Sequence, residues 1–281
     1  MSDVTILHPL VRRLTAPNAS AYTHTGTQTY LVGRGEVAVV DPGPADAGHA
    51  AAILAATAGE RIVAIVCTHT HRDHSPAAVS LKAATGARIV GCAALVPAAG
   101  ADGGVDAAYD LDYAPDRVLA DGEAVSGAGW TLRAVATPGH TSNHLCYALP
   151  EADGLFSGDH VMGWSTSIVS PPDGDMGAYM ASLERLVGRD EAVFWPGHGD
   201  PVDRPQRLVR GMLGHRRQRE GQILRRLAAG PAGVEALVAT MYAGLAEALH
   251  GAAARSVLAH LIDLERRGLV MREGAAWAST N

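Results

Sequence analysis

The stretch Thr68-His69-Thr70-His71-Arg72-Asp73-His74-Ser75 constrains this chain most. Four residues with metal-binding side chains, His69, His71, Asp73 and His74, fall within six positions. Directly before it runs Arg61-Ile62-Val63-Ala64-Ile65-Val66-Cys67, apolar and β-branched, which reads as a buried parallel strand. Residues 76–84 follow and read as a helix with proline in its first turn. The cluster therefore falls on a strand-to-helix loop at the carboxyl end of a strand, where open α/β sheets bind ligands. Imidazole and carboxylate donors suit zinc better than magnesium, which prefers oxygen, or an iron–sulfur cluster, which needs thiolates. His69 and His71 can turn to one ion while the start of the helix presents Asp73 and His74 to a second. The bland alternative is a solvated His-rich loop. Four such side chains behind a buried strand weigh against it.

The 281 residues suffice for one large domain, or for a large and a small one, and 47% hydrophobic against 19% charged residues excludes global disorder. No apolar run approaches the roughly eighteen residues of a membrane span. The first twenty residues, with Asp3, His8, Arg12 and Arg13, lack the apolar core of a secretory signal. A soluble, cytoplasmic protein is expected. Cys67, Cys92 and Cys146 show no CxxC spacing and read as buried free thiols. The net charge of −6 hides a split: residues 205–281 hold eleven Arg against six acids (+5), residues 1–204 twelve Lys and Arg against twenty-three acids (−11). Two units with different jobs, 1–204 and 205–281, are expected.

Along the chain, β-like runs at 26–33 and 36–40 flank Arg34-Gly35, a hairpin signal. A helix over 47–58 stops at Gly59, and with the strand at 87–91 the pieces give β-β-α-β-α-β. Residues 93–116 are rich in Ala, Gly and Asp and read as an irregular excursion with solvated acids; 118–135 reads as a β meander. Pro138-Gly139-His140 and Pro196-Gly197-His198 each throw one histidine out at a strand end. Within Ser157-Gly158-Asp159-His160, period-two alternation separates Asp159 from His160. Asp159, whose carboxylate can bridge two cations, is the ligand candidate, and His160 packs. Residues 163–175 form a loop that can border a pocket, and 179–187 a helix. After Pro201 and Pro205, helices over 206–229, 234–250 and 253–267 and a hairpin over 268–277 suggest a winged-helix-like module. His8, His24, His49, His215, His250 and His260 read as surface or helix-packing residues.

With His69-x-His71-x-Asp73-His74, Pro138-Gly139-His140, Ser157-Gly158-Asp159, Pro196-Gly197-His198 and the Asp41-Pro42-Gly43 turn in this order, the chain resembles the metallo-β-lactamase fold superfamily from about residue 30 to 200. The resemblance implies an α/β fold, the four-layer αββα sandwich, with a dinuclear centre on one edge. His69, His71 and His140 would hold the first ion, Asp73, His74 and His198 the second, with Asp159 bridging; two Zn2+ are implied, with Fe2+ or Mn2+ as alternatives. The tail, through His215-Arg216-x-x-Arg219-Glu220-x-Gln222-Ile223-Leu224, is similar to the C-terminal winged-helix-like domain of a lactamase-like subgroup that includes a mitochondrial endoribonuclease.

The chemistry implied is hydrolysis by a hydroxide shared between two ions, with Asp73 aiming it and His144 orienting a ligand or donating a proton. True β-lactamases carry a cysteine where Asp159 stands or lack the bridging carboxylate. The pattern looks instead like glyoxalase II, lactonases and RNA-processing members. The expected substrate is a small ester, thioester or lactone, since the acidic body repels polyanions. A single-strand endoribonuclease, motivated by the +5 tail, is the alternative. An iron-dependent dioxygenase, a true β-lactamase and a non-enzymatic DNA-binding module stand behind these. No membrane partner is expected, and the tail's arginines also suit a homodimer contact.

Overall fold

The computed structural model describes residues 4–96, 108–246 and 249–280. Part of the expected excursion, residues 97–107 with Asp102 and Asp106, lies outside them. The chain forms two compact units: Met1–Thr137 with Asn143–Thr166 and Asp190–Pro205, and Pro138–Ser142 with Ser167–Arg189 and Gln206–Asn281.

The first unit holds two sheets. One runs in chain order: β1 (Thr5–His8), β2 (Val11–Thr15), β3 (Gln28–Val32), β4 (Glu36–Val40), β5 (Arg61–Cys67), β6 (Arg88–Gly91) and β7 (Arg117–Val118). It is antiparallel up to β4 and parallel from β4 to β7. The parallel part is joined by two helices, α1 (Ala47–Ala56) and α2 (Ala77–Thr85). The near-continuous burial of β4 and β5 beyond their first residues explains the apolar runs 37–40 and 62–67. Asp46 caps α1 by accepting from the His49 N–H at 2.6 Å. Gly86, at φ 72°, ends α2 in the left-handed conformation that glycine adopts freely.

The second sheet has the order β12 (Val193–Pro196), β11 (Gly154–Gly158), β10 (Leu145–Leu149), β9 (Trp130–Ala136), β8 (Ala124–Gly127). It is antiparallel except for the β11–β12 pair. Its inner face packs on the first sheet through Trp130, Tyr147, Phe156 and Trp195. Two polar handles cross the seam: Trp130 Nε1 donates to the Glu36 carbonyl at 2.8 Å and the Tyr147 hydroxyl to the Cys67 carbonyl at 2.8 Å. Cys67, Cys92 and Cys146 are free and buried, as their spacing implied. The 118–135 meander is corrected: its first strand joins the first sheet and the other two the second.

The second unit contains α3 (Met176–Val187), α4 (Pro205–Leu227), α5 (Val234–Met241), α6 (His250–Arg266) and the hairpin β13 (Val270–Glu273) and β14 (Ala276–Ser279). Ile223, Leu227, Leu237, Val257, Leu261, Leu264 and Trp277 build a core of its own. The helix expected over 234–250 stops at Met241, with Gly244 at φ 88° soon after, and the next begins at His250. Among the described residues no helix is long and apolar enough to cross a membrane.

Candidate metal centre

Three segments that the β-strands bring to one sheet edge carry the first unit's donors: the β5–α2 loop, the end of β11 and the end of β12. The His198 Nε2 lies 3.2 Å from Asp73 Oδ2, 3.4 Å from Asp159 Oδ2 and 3.3 Å from the His74 Nε2. The His74 Nε2 in turn lies 3.5 Å from Asp73 Oδ2 and 3.4 Å from Asp159 Oδ1. Asp73, His74 and His198 thus point one donor atom each at a common centre. A second gathering holds His69, His71 and Asp159, with donor atoms within 4.8 Å of one another, and His69 Nε2 stands 2.9 Å from His71 Nδ1. Asp159 faces both. Its neighbour His160 is buried but joins neither gathering. The strand breaks at Gly158, φ 49°, which frees Asp159 from the alternation of β11.

The outer ring nitrogens are held, which fixes the inner ones. His74 Nδ1 is 3.0 Å from Asp41 Oδ2 and His198 Nδ1 is 3.3 Å from the Gly26 carbonyl. A carbonyl and a carboxylate only accept, so both rings carry their proton on Nδ1 and turn a lone pair inward when neutral. Asp41 also accepts from the Thr68 N–H and hydroxyl, both at 2.8 Å, and the Thr68 Oγ1 stands 2.9 Å from His69 Nδ1. One carboxylate from the end of β4 therefore braces both ends of the β5–α2 loop. Sequence reasoning saw Asp41 only as part of a turn. Its left-handed φ of 48° was not legible, because a residue before proline is ordinarily extended.

Close packing does the rest. A Cβ on Gly197 would lie 2.4 Å from Asp159 Oδ1 and 2.7 Å from His74 Cε1. Only glycine lets the β12 turn pass behind these donors. The turn itself is pinned by the Gln28 N–H on the Gly197 carbonyl at 2.8 Å and the Tyr30 hydroxyl on the Pro196 carbonyl at 2.6 Å. His144 is buried, with Nδ1 2.8 Å from Thr137 Oγ1 and its ring 5.2 Å from that of His69. His49, read as packing, is buried with Nε2 2.8 Å from Thr29 Oγ1.

The remaining predicted ligand, His140, belongs to the second unit. Its turn is fastened there by the Asp175 N–H on the Gly139 carbonyl at 2.9 Å, the Ser182 hydroxyl on the Pro138 carbonyl at 2.8 Å and the Ser142 N–H on Asp173 at 2.9 Å. The His140 Nδ1 is 2.6 Å from the Ile168 carbonyl.

Electrostatics show what the centre wants. Burial disfavours charge on His198, but Asp159 and Asp73 pull its pKa up to about 9. Burial likewise opposes charge on His74, and Asp73, Asp159 and Asp41 override it, holding the pKa well above the usual imidazole value. In return Asp73 and Asp159, which burial would push up, are pulled below the ordinary carboxylate range, Asp73 first by His74 and Asp159 first by His198. Two carboxylates and two imidazoles crowded this closely demand positive charge at their centre. A divalent cation satisfies that demand, and the mixed imidazole–carboxylate set is that of zinc, iron or manganese.

The family model of the Metallo-beta-lactamase superfamily matches residues 22–198, and that of the Beta-lactamase associated winged helix domain matches residues 234–277. The chain is 33% identical over 230 residues to an Atrochrysone carboxyl ACP thioesterase of Aspergillus fumigatus, covering 80% of this chain and 67% of that protein. It is 32% identical over 276 residues to the Beta-lactamase-like protein 2 homolog of Drosophila melanogaster, covering 94% and 91%. A beta-lactamase domain protein from Burkholderia ambifaria shares its fold, with a TM-score of 0.84 at 23% identity over 99% of this chain and 94% of that one. The chain belongs to the metallo-β-lactamase superfamily, and its C-terminal part to the winged helix domain associated with it.

Proposed function

We propose that the protein is a dinuclear metal-dependent hydrolase, zinc being the ion its donors suit best, acting on a small acyl thioester, with lactones and aryl esters as related substrates. The observation that carries this is the convergence of Asp73, His74 and His198 on one centre, with Asp159 facing it and the His69–His71 pair. His140 is assigned as the third imidazole of the His69–His71 group. Its Nδ1 faces a carbonyl, so the proton sits there and Nε2 carries the ring's lone pair. Bound there, a pair of divalent ions supplies Lewis acidity and an activated water nucleophile at neutral pH. Asp73, the donor with the more exposed side chain at 26%, accepts a hydrogen bond from the incoming nucleophile and aims it. Buried His144 is assigned to supporting His69 rather than to giving a proton to the leaving group.

The thioester preference draws on the relative named a thioesterase and on the acidic first unit, which disfavours polyanions. The nuclease alternative loses part of its motive, because several of the tail's eleven arginines are engaged inside their own unit. Arg217 pairs with Glu184 at 2.7 Å, Arg266 with Asp175 at 2.6 Å and Arg267 with Glu220 at 2.5 Å, while Arg219 lies over the Tyr242 ring at 4.3 Å.

The test is metal analysis of the zinc-reconstituted protein together with acyl-CoA, acyl-N-acetylcysteamine, lactone and aryl-ester substrates. Two ions per chain and thioester turnover, lost by about a hundredfold or more in His198→Ala, are the expected results. A protein with two ions that turns over none of these substrates sinks the substrate assignment. One ion or none sinks the dinuclear one.

A further inference from the structure

Arg216, on α4, is buried, yet among the described residues it forms no ion pair with a carboxylate. A buried guanidinium without a counter-charge is costly, and burial of this kind persists where the group has a specific task. Its contacts say what the task is. One terminal nitrogen donates to the Ser167 carbonyl and the other to the Ser256 hydroxyl at 3.1 Å, and the guanidinium lies over the Tyr179 ring at 5.2 Å.

Two of these three contacts, those with Ser167 and Tyr179, lead to the same histidine. The carbonyl after the one that Arg216 grips, that of Ile168, is the one 2.6 Å from His140 Nδ1. Tyr179, under the guanidinium, abuts Gly139: a Cβ on Gly139 would lie 2.3 Å from the Tyr179 backbone. The segment that accepts the His140 proton and the helix that backs the His140 turn are thus clamped by one side chain from α4.

We propose that Arg216 is a positioning residue for His140. It holds the Ser167–Ile168 backbone so that the Ile168 carbonyl keeps the His140 proton on Nδ1, the lone pair on Nε2 and the ring at one angle. The proposal rests on the assignment of His140 as a ligand, and the experiment separates the two.

Zinc affinities of the two sites are measured by chelator competition on the full chain carrying His140→Ala, Arg216→Met or Arg216→Lys, with near-ultraviolet circular dichroism to follow folding. His140→Ala is expected to lose one of the two ions; if it keeps both at native affinity, the ligand assignment fails. With that ion lost in His140→Ala, folded Arg216→Met is expected to bind the same ion about tenfold or more weakly while holding the other unchanged. Arg216→Lys, which reaches Ser167 with a single donor, recovers part of the loss. Native affinity at both sites in folded Arg216→Met, or equal weakening of both, overturns the positioning role. Should Arg216→Met fail to fold, Ser256→Ala carries the test. It frees one arm of the guanidinium and weakens the same ion severalfold; no selective weakening overturns the proposal.

Discussion

The tightest constraint on the centre comes from a residue with no side chain. Gly197 lies outside the left-handed region of backbone space, so alanine there brings no conformational strain, and Gly197→Ala tests close approach alone. Its methyl would stand 2.4 Å from Asp159 Oδ1, where about 3.0 Å is the least that such contacts tolerate. Something must therefore yield by about 0.6 Å, whereas ligand atoms hold a metal within about 0.2 Å of ideal distance. The contact with His74 Cε1 at 2.7 Å closes the opposite escape. The expected result is a folded protein destabilised by about 1–3 kcal/mol through overpacking. Its affinity for the ion at Asp73, His74 and His198 falls by about ten- to a hundredfold. Calorimetric titration of zinc into the metal-free variant, with a urea melt on the same sample, reads both. Two ions bound at native affinity would refute the argument, because the turn would then have moved away at no cost to the donors.

Asp41→Asn keeps the shape but turns an amide N–H toward groups that themselves donate, Thr68 and His74 Nδ1. A loss of about 1–3 kcal/mol is expected from the stranded buried donor, together with about tenfold weaker zinc binding, read by thermal melts and chelator competition. Burial first, then Arg216, His215, Arg267 and Arg219, pushes the His260 pKa from 6.5 down to about 3. Between those values the unfolded chain takes up a proton that the folded chain refuses. This contribution is therefore complete above about pH 6.5 and is lost as the pH falls toward 3. By pH 5 the loss amounts to about 2 kcal/mol. Urea melts at pH 7.5 and 5.0 should show that much less pH dependence in His260→Leu than in the wild type, and equal dependence would count against a neutral buried imidazole. Gly214, exposed within α4 with open space at its Cβ, should gain up to about 1 kcal/mol as alanine, and a loss in the melt would contradict the helical assignment.

How much of this was legible in the sequence depends on the range of the interactions involved. The β5–α2 loop and its ligands were readable because a β-branched run, four donors and a proline-led helix follow one another without a gap. The two Pro-Gly-His turns were readable for the same local reason. Asp41, Thr68 and the carbonyl of Gly26 were not assigned roles, since each acts on a histidine brought near by sheet pairing; for Gly26 the separation from His198 is 172 positions. The β1–β2 hairpin escaped notice because β2 carries a buried arginine, Arg12, whose charge is met by Glu60 at 2.7 Å and the Ala56 carbonyl at 3.0 Å. An alternation rule sees polar residues there, not a strand. The break after Met241 lay hidden because Ala-rich stretches look helical wherever they fall, and the left-handed Gly244 is one glycine among 32.

The chain passes from one compact unit to the other at 137/138, 142/143, 166/167, 189/190 and 205/206. Clipping the polypeptide after residue 205 would therefore not deliver a clean N-terminal half. It would orphan 138–142 and 167–189, stripping α3 of the Arg266 guanidinium that grips its Asp175 cap. Chimaeras that borrow a tail from a cousin protein inherit the same debt: the two inserted stretches have to travel with it, or the donor's helices arrive without the surface they evolved to clasp.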